Sequence, residues 1–428
     1  MYDVIVVGGR VAGSTLATRL GQAGLRVLLL ERAELPSLPA VSSPIIYAPA
    51  MSLLDEIGAD EAAYARNTPR IQRWLIEAEG LWQAEQSVPP VQGRDYAYAI
   101  DRARFDGALW DVAQATPHVE ARQNTSVIDL LWDDERVVGV RAKDMTTGDT
   151  YTEHAQFVVG ADGRFSVVAR KAGASERQRH DNLPTSNYYA NWIGVEPVDD
   201  GPPAAHMIST GGDYGLLLMD SADDQTVIAI EGRTDKMRFP RGEAESFYEE
   251  MLLKHPSMQT RLQNAQRVTP ISGMKQIGNL YRQAGGPGWA LVGDAVHQKD
   301  PLDGQGIYDA LFTAKMLSAQ IVAHCQGKRD WPGAVHAYQQ ALAAETLPMY
   351  HSTLARVQRE IYTHRPQWFM RTFARWLYTD EKYLTHWAKL FVRQIQPSDW
   401  FSYRIILLAV LRGMWRETQQ LLSISQPT

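Results

Sequence analysis

The pattern that most constrains the fold stands at the start of the chain. A short run rich in β-branched residues, 3–7, leads directly into the turn Gly-Gly-Arg-Val-Ala-Gly at 8–13, a helix-forming segment and a second apolar run that ends at Glu31. Near-absent side chains let N–H groups at a helix N-terminus approach a pyrophosphate. An acid after the second strand accepts hydrogen bonds from a ribose hydroxyl. The segment predicts a βαβ unit in which Gly8, Gly13 and Glu31 bind a dinucleotide.

The turn departs from the strict glycine pattern at its middle position. A complete G-x-G-x-x-G motif has a glycine where this chain has Arg10. The Arg10 side chain must therefore point away from the phosphates or lie alongside them. On this segment alone, an ordinary tight βα turn is the alternative.

Two later segments also read as strands that end in a glycine and an acid. An apolar run in 157–164 ends at Asp162, and a second run in 289–295 ends at Asp294. The second run leads through two more glycines, at 304 and 306, into a helix expected to begin near residue 307. Three such strands suit one dinucleotide held at the edge of one parallel sheet.

With these segments, the first 330 residues or so resemble the flavoprotein monooxygenase superfamily typified by p-hydroxybenzoate hydroxylase, which includes geranylgeranyl reductases and flavin halogenases. The turn at 8–13 and the segment His-Gln-Lys-Asp-Pro at 297–301 resemble a subgroup of FAD-dependent oxidoreductases that usually reads Gly-Ala-Arg-Cys-Ala-Gly and His-Lys-Asp-Pro. Arg10 is then a subgroup trait. The resemblance implies FAD as the cofactor and NAD(P)H as a transient co-substrate.

The resemblance also implies roles for single residues. Asp162 would lie near the pyrophosphate and the nicotinamide approach, and Asp294 would bind the ribityl chain. Arg102 matches the family's R-x-x-L-D arginine near the ribityl or phosphate groups, although a solvated arginine on a helix surface is the alternative. Val127 would meet adenine through its backbone. The predicted cofactor-binding set is Gly8, Arg10, Gly13, Glu31, Arg32, Arg102, Val127, Asp162, Asp294, Gly304 and Gly306.

The segment after the third strand is the candidate for chemistry at the flavin. Reduced flavin carries negative charge, which a helix N-terminus stabilises, and the glycines at 304 and 306 would let those N–H groups approach the ring. Pro301 would shape the wall opposite the substrate. His297 is either a proton shuttle or a loop histidine bonded to backbone. The other histidines are not in metal-ligand spacing, so no metal is expected.

The resemblance implies an α/β fold: a Rossmann-like FAD-binding domain, an inserted antiparallel β-sheet substrate domain and a C-terminal helical region. The predicted FAD-binding domain is discontinuous and comprises 1–70, 96–175 and 281–330. The predicted substrate-binding domain comprises 71–95 and 176–280. The C-terminal helical region comprises 331–428.

Aromatic residues on the predicted strands of the inserted domain are candidate substrate contacts. Alternation in 187–195 places Tyr188 and Trp192 on one face and Tyr189 on the other, and one face should line the pocket. Tyr188, Trp192 and Tyr214 are the candidates, and the substrate is expected to be hydrophobic or aromatic. The alternative is that these rings fill the core between sheet and helices.

Charge and cysteine content exclude several classes of function. A net charge of −6 gives no reason to expect a nucleic-acid partner. The single cysteine, Cys325, excludes a CxxC redox pair. Without an export signal, or an apolar run as long as a membrane span, the expected location is the cytoplasm. The basic, aromatic segment 366–416 is interpreted as helical core, a membrane-surface layer or a homodimer contact.

The leading hypothesis is an FAD-dependent monooxygenase that uses NAD(P)H and O2 to hydroxylate an aromatic or polyketide-like molecule through a flavin C4a-hydroperoxide. The alternatives are an FAD-dependent reductase of an isoprenoid-like double bond and a flavin-binding scaffold without turnover. A flavin halogenase is disfavoured because the W-x-W-x-I-P motif is absent and no lysine precedes Lys143.

Overall fold

A computed structural model of the chain describes residues 1–37, 43–78, 80–400 and 402–424. Two β-sheets face a shared central cavity, and helices cover their outer sides and close one end. The substrate-side sheet is mostly antiparallel, whereas the sheet that begins at the N-terminus is mostly parallel.

The first sheet is built around the N-terminal strand. Val7 is in register with Leu30 on one side and with Gly160 on the other, and Gly160 is in register with Leu291. The parallel strands therefore end at one level, where their loops converge. In sheet order, the strands are Gly285–Gly286, Trp289–Leu291, Thr150–Gly160, Tyr2–Val7, Val27–Leu30 and Val119–Arg122. Arg136–Asp144 pairs antiparallel with the start of Thr150–Gly160, and Thr125–Asp133 pairs antiparallel with Arg136–Asp144.

Helices bury the hydrophobic faces of this sheet. Val11–Gln22 contacts both Arg102–Ala115 and Gly306–Cys325, and its apolar residues join the largest hydrophobic core of the protein. Gly306–Cys325 follows Gly304, whose φ of +64° is a left-handed conformation that glycine adopts without strain. The remaining helices here are Ala48–Asp55, Glu61–Tyr64, Val167–Lys171 and Trp331–Arg356, with 3-10 turns at Gly293–Ala295 and Pro301–Asp303.

The second sheet separates the cavity from an outer helical layer. In sheet order, its strands are His297–Gln298, Ser272–Arg282, Glu176–Ile193, Thr226–Arg233, Tyr214–Asp220, Ala204–Gly212, Arg73–Ala78 and Trp82–Ser87, with Gln266–Arg267 beside Glu176–Ile193. Helices Ala244–Leu253 and Pro256–Arg261 cover its outer face. A short pair, Ile45–Ile46 with Tyr98–Ala99, lies apart from both sheets.

The prediction that Tyr188 and Trp192 line the substrate pocket is wrong. Both are buried on the outer face, where Tyr188 contacts Phe239 and Trp192 stacks on Tyr248. The opposite face of the same strand, with Tyr189, lines the cavity. The alternation pattern separated the two faces of the strand correctly. Tyr188 and Trp192 lie on the face that packs against the outer helices, because sheet and helices both contribute apolar residues to the core there.

The C-terminal region is helical and covers the open end of the second sheet. Its elements after Trp331–Arg356 are the π-helical turn Val357–Ile361, Gln367–Phe369, the π-helical turn Met370–Ala374, Arg375–Tyr378, Glu381–Phe391, Pro397–Trp400 and Tyr403–Ile424. Trp387 and Phe391 are buried in the core, whereas Trp368 is 62% exposed. Phe401, also part of the aromatic segment, lies outside the described residues. No helix in the described part of the chain is long and apolar enough to span a membrane.

The predicted fold class is confirmed: a Rossmann-like sheet, an antiparallel sheet inserted into it and a helical C-terminal region are all present. Residues 71–95 supply two strands of the second sheet, far in sequence from the others. The exact domain boundaries stay a prediction.

Replacing Gly13 with valine should prevent stable folding of the dinucleotide turn. A Cβ atom at Gly13 would lie 1.7 Å from the carbonyl oxygen of Gly8, a backbone atom that cannot move without displacing strand Tyr2–Val7. We expect Gly13→Val to destabilise the protein by about 3 kcal/mol, to lower its Tm and to abolish flavin binding. Gln22→Val, at the exposed end of the same helix, is the matched control. A Gly13→Val protein with normal Tm and flavin content would contradict this packing.

Candidate active site

One cavity of about 1130 Å³ connects the carboxyl ends of the first sheet to the inner face of the second. Loops that follow parallel strands form one of its lobes, here called the cofactor lobe, which includes Gly8, Glu31 and Asp162. Apolar residues of the second sheet and the C-terminal helices form the other, here called the substrate lobe. The site thus lies beyond the carboxyl ends of the strands, where α/β sheets bind ligands.

The glycine turn brings a helix N-terminus to the wall of the cofactor lobe. Gly8 has φ of +101°, and the contact between Gly13 and the Gly8 carbonyl lets the helix start directly beneath the strand end. Glu31 accepts hydrogen bonds from the N–H of Gly9, at 2.7 Å, and of Ala33, at 2.9 Å. These bonds fix the Glu31 carboxylate at the cavity wall, in the place predicted for ribose binding.

Arg10 lies alongside the turn and is held there by a buried carboxylate. Its Nη1 donates to Oδ2 of Asp106 at 2.7 Å, and Nη2 of Arg102 donates to Oδ1 of the same aspartate at 2.9 Å. Asp106 is fully buried, and both arginines line the cavity. Two guanidinium groups share one carboxylate, so the cluster keeps an excess positive charge beside the helix N-terminus, as a pyrophosphate requires. Sequence reasoning missed Asp106, although it stands four residues after Arg102.

The two acids at the other strand ends differ in their surroundings. Asp162 is half-buried and accepts hydrogen bonds from Ser166 Oγ and from the Val167 N–H, while desolvation raises the pKa of the carboxyl. Its oxygens are therefore committed to the following turn. The Asp294 side chain is 41% exposed, faces the cavity and accepts a 3.2 Å hydrogen bond from Arg164 Nε. Asp294 is thus the more accessible acceptor for a cofactor hydroxyl.

The segment from His297 to Gly306 forms the border between the two lobes. Gly304 has no room for a side chain, since a Cβ would lie 2.5 Å from Ile45, and helix Gly306–Cys325 begins at the cavity wall. The N–H groups of its first turn have no acceptor within the helix and carry partial positive charge. Pro301 lines the same wall. This arrangement can stabilise negative charge on a ring placed against the loop.

Buried ions hold this segment in place. Lys299 Nζ lies 3.0 Å from Asp309 and 3.3 Å from Asp303, and Arg393 Nη2 lies 2.8 Å from Asp309. His297 is buried beside Asp309, at 3.7 Å, and burial lowers the pKa of its imidazole. The hydrogen bond to backbone expected of a loop histidine is absent among the described residues. The ring nitrogens of His297 have no other hydrogen-bond partner in that part of the chain, so a proton-transfer role stays a prediction.

The substrate lobe is lined mainly by apolar and aromatic side chains. Of the predicted substrate contacts, Tyr214 borders the cavity, but its ring packs against His255 in the core on the outer face of the sheet. The C-terminal helices form much of the wall. The sequence did not predict this contribution, because it depends on how these helices pack against the second sheet. The principal lining residues are Tyr189, Met207, Leu217, Val227, Met274, Met370, Leu377, Tyr378, Trp387, Trp400 and Ile406.

The cofactor lobe fits FAD. Gly8 leaves no room for a side chain, since a Cβ would lie 2.5 Å from the carbonyl oxygen of Ala161, so the backbone itself forms the wall beside the helix N-terminus. Arg32 and Val127 line the same lobe, on the side away from Gly304 and Gly306. The structure thus gathers all eleven predicted cofactor-binding residues except Gly13 into the cavity wall, and Gly13 shapes the turn from behind. Their contacts with FAD stay a prediction.

Replacing Asp294 with alanine should weaken FAD binding. A hydrogen bond from a ribityl hydroxyl to a carboxylate contributes about 1.5–3 kcal/mol, so we expect the Kd for FAD to rise by about tenfold to a hundredfold. Fluorescence titration of the apoprotein measures this directly. Asp149→Ala, in the exposed turn before strand Thr150–Gly160, is the control. An unchanged Kd for Asp294→Ala would show that Asp294 does not contact the cofactor.

Comparisons with known proteins agree with this site. Residues 1–343 match the FAD binding domain family. The chain is 27% identical over 348 residues to a tryptophan 2-halogenase of Chondromyces crocatus, covering 78% of this chain and 64% of that protein. It is 27% identical over 322 residues to the digeranylgeranylglycerophospholipid reductase of Methanosarcina acetivorans, covering 74% of each.

Among solved structures, the fold resembles PqsL of Pseudomonas aeruginosa, described as a probable FAD-dependent monooxygenase, with a TM-score of 0.67 and 18% identity over 84% of this chain and 96% of that one. The family match covers most of the chain, including the residues of the cofactor lobe. The chain belongs to the FAD binding domain family and is an FAD-dependent oxidoreductase.

Proposed function

We propose that the protein is an FAD-dependent monooxygenase that hydroxylates a large apolar molecule, aromatic or polyketide-like, with NAD(P)H as the reductant. The observation that carries this proposal is one cavity in which the cofactor lobe opens directly into the mainly apolar substrate lobe. A ring held against the 297–306 segment would face the substrate lobe. The balanced reaction converts substrate C–H, O2, NAD(P)H and a proton into C–OH, NAD(P)⁺ and water.

Bound FAD supplies electron transfer from the nicotinamide and activation of O2. The chain's own residues orient it. Arg10 and Arg102 hold the pyrophosphate, Glu31 accepts from the ribose, and Asp294 accepts from the ribityl chain. The N-terminus of helix Gly306–Cys325 stabilises negative charge on the reduced ring.

The substrate lobe excludes water. Most of its walls are aliphatic and aromatic, although Arg359, Glu360 and Arg365 also line the cavity. The turn from Met370 to Ala374 and helix Glu381–Phe391 cover it on one side. Water exclusion protects an activated oxygen species from unproductive decay, and it requires no catalytic side chain that attacks the substrate.

NAD(P)H is proposed to visit the site transiently. The N-terminal βαβ unit serves FAD, and the described residues form no second unit of that kind. The open edge of the cofactor lobe, beside Asp162 and the exposed Phe165, is the proposed approach.

A reductase of an isoprenoid-like double bond is the second candidate. The aliphatic part of the substrate lobe and the similarity to a digeranylgeranylglycerophospholipid reductase favour it. Halogenation is not proposed despite the similarity to a tryptophan 2-halogenase, because the halogenase motif and an early lysine are absent from the sequence.

Oxygen incorporation separates these candidates. The FAD-loaded protein is incubated with NADPH and isotopically labelled O2 across a panel of polycyclic phenols, polyketides and polyprenols. We expect O2 consumption in proportion to a product that carries one labelled oxygen atom. Saturation of a polyprenol without O2 would identify the reductase, and flavin that NADPH never reduces would identify a scaffold without turnover.

A further inference from the structure

Two carboxyl groups meet at the border between the lobes, and the functions described above do not use them. Glu231, on strand Thr226–Arg233, and Asp300, in the 297–306 segment, both line the cavity. They are direct neighbours, and the charge of Asp300 acts on Glu231. We refer to them as the carboxyl pair.

Asp300 has the partners of an ionised carboxylate. It is fully buried, its Oδ1 accepts from the Leu302 N–H at 3.0 Å, and its Oδ2 accepts from the hydroxyl of Thr185. Its own N–H donates to Asn279 Oδ1 at 2.8 Å. Hydrogen bonds that converge on a carboxylate stabilise its charged form. The negative charge of the pair therefore resides on Asp300.

Glu231 has the partners of a protonated acid. Its Oε2 accepts one hydrogen bond, from Asn187 Nδ2 at 3.1 Å, while Oε1 is buried and has no donor among the described residues. Burial, and next the charge of Asp300, raise the pKa of Glu231 well above its usual range. Two adjacent carboxyl groups cannot both ionise cheaply, so one proton remains on the pair.

The neighbouring cation does not neutralise this acid. Arg356 is buried near Glu231, but its guanidinium donates two hydrogen bonds to Glu360, at 3.1 Å and 3.0 Å. The charged groups that face Glu231 are thus Asp300 and an arginine already paired with Glu360. The negative charge of Asp300 would repel a second anion at this point of the cavity.

We propose that the carboxyl pair holds one proton at neutral pH and binds a hydroxyl group of the substrate. One carboxyl oxygen accepts a hydrogen bond from the substrate O–H, and the protonated carboxyl donates a hydrogen bond to the hydroxyl oxygen. The site then selects apolar molecules that carry an alcohol or phenol group and rejects carboxylates. This inference rests on the proposed assignment of the apolar lobe to the substrate, and it holds for a hydroxylase and for a reductase alike.

Three matched probes test the selectivity: naphthalen-2-ylmethanol, 2-methylnaphthalene and 2-naphthoate. Their binding to the FAD-loaded protein is measured through the perturbation of flavin absorbance, without NADPH. We expect the alcohol to bind about tenfold more tightly than the hydrocarbon and the carboxylate. Its advantage over the hydrocarbon should be present at low pH and shrink as pH rises through the raised pKa of Glu231, because the donor to the alcohol oxygen is lost, whereas its advantage over the carboxylate should persist. Equal or tighter binding of the carboxylate, or no binding of the alcohol, overturns the proposal.

Two variants assign the effect to Glu231. Glu231→Leu should remove the preference for the alcohol, whereas Glu231→Gln, which keeps a neutral donor, should retain it at every pH. Glu77→Gln is the matched control, since Glu77 lies in the same sheet, bonded to His206 and away from the cavity wall. A Glu231→Gln variant with the pH dependence of the wild type would overturn the assignment.

Infrared spectroscopy tests the proton itself. The FAD-loaded wild type should show the carbonyl stretch of a protonated carboxyl group at neutral pH, and Glu231→Gln should lack it while Glu77→Gln keeps it. Absence of this band from the wild type overturns the shared proton. These measurements need no turnover, so a failure of oxygen incorporation would leave them intact and would correct only the proposed reaction.

Discussion

The close approach of helix Val11–Gln22 to strand Tyr2–Val7 is the constraint on which the site depends. A backbone carbonyl occupies the place where a side chain at Gly13 would begin, and the helix N-terminus therefore reaches the edge of the sheet. The same turn gives the N–H of Gly9 to Glu31 and sends Arg10 toward Asp106. Glu31, the positive charge of Arg10 and the helix N-terminus thus converge at one edge of the sheet because one residue has no side chain.

The opposite wall of the flavin site depends on buried charge. Lys299 and Arg393 both pair with Asp309, and Arg393 also lies 2.7 Å from Glu345. These ion pairs connect helix Trp331–Arg356 and the end of helix Glu381–Phe391 to the 297–306 segment. Such a network adds little stability over an apolar core, but the loss of one partner costs about 3–5 kcal/mol because a buried charge is left uncompensated. The C-terminal helices that cover the substrate lobe and the 297–306 segment therefore stabilise each other's positions. This connection explains how a C-terminal region outside the Rossmann-like sheet takes part in the active site.

Local sequence patterns predicted the cofactor lobe well, because its determinants lie within short segments. The glycine turn, Glu31 and the acids at 162 and 294 each follow directly from a strand, and the structure places them in one wall. The substrate lobe was harder to predict. Alternation distinguishes two faces of strand Glu176–Ile193 but not which face a helical layer covers, and so Tyr188 and Trp192 were assigned to the wrong side. Glu231 did leave a signal, a lone acid at the end of an apolar strand, but its neighbour Asp300 comes from a distant loop.

The flavin ring is proposed to lie at the border of the two lobes, against the 297–306 segment and within reach of the substrate lobe. The crystal structure of the FAD-bound protein tests this placement most directly. We predict a pyrophosphate between the glycine turn and Arg102, a ribityl chain bonded to Asp294, and an isoalloxazine ring over Pro301 with one face open to the substrate lobe. A ring that lies outside the cavity, or separated from the apolar lobe by protein, would contradict the account.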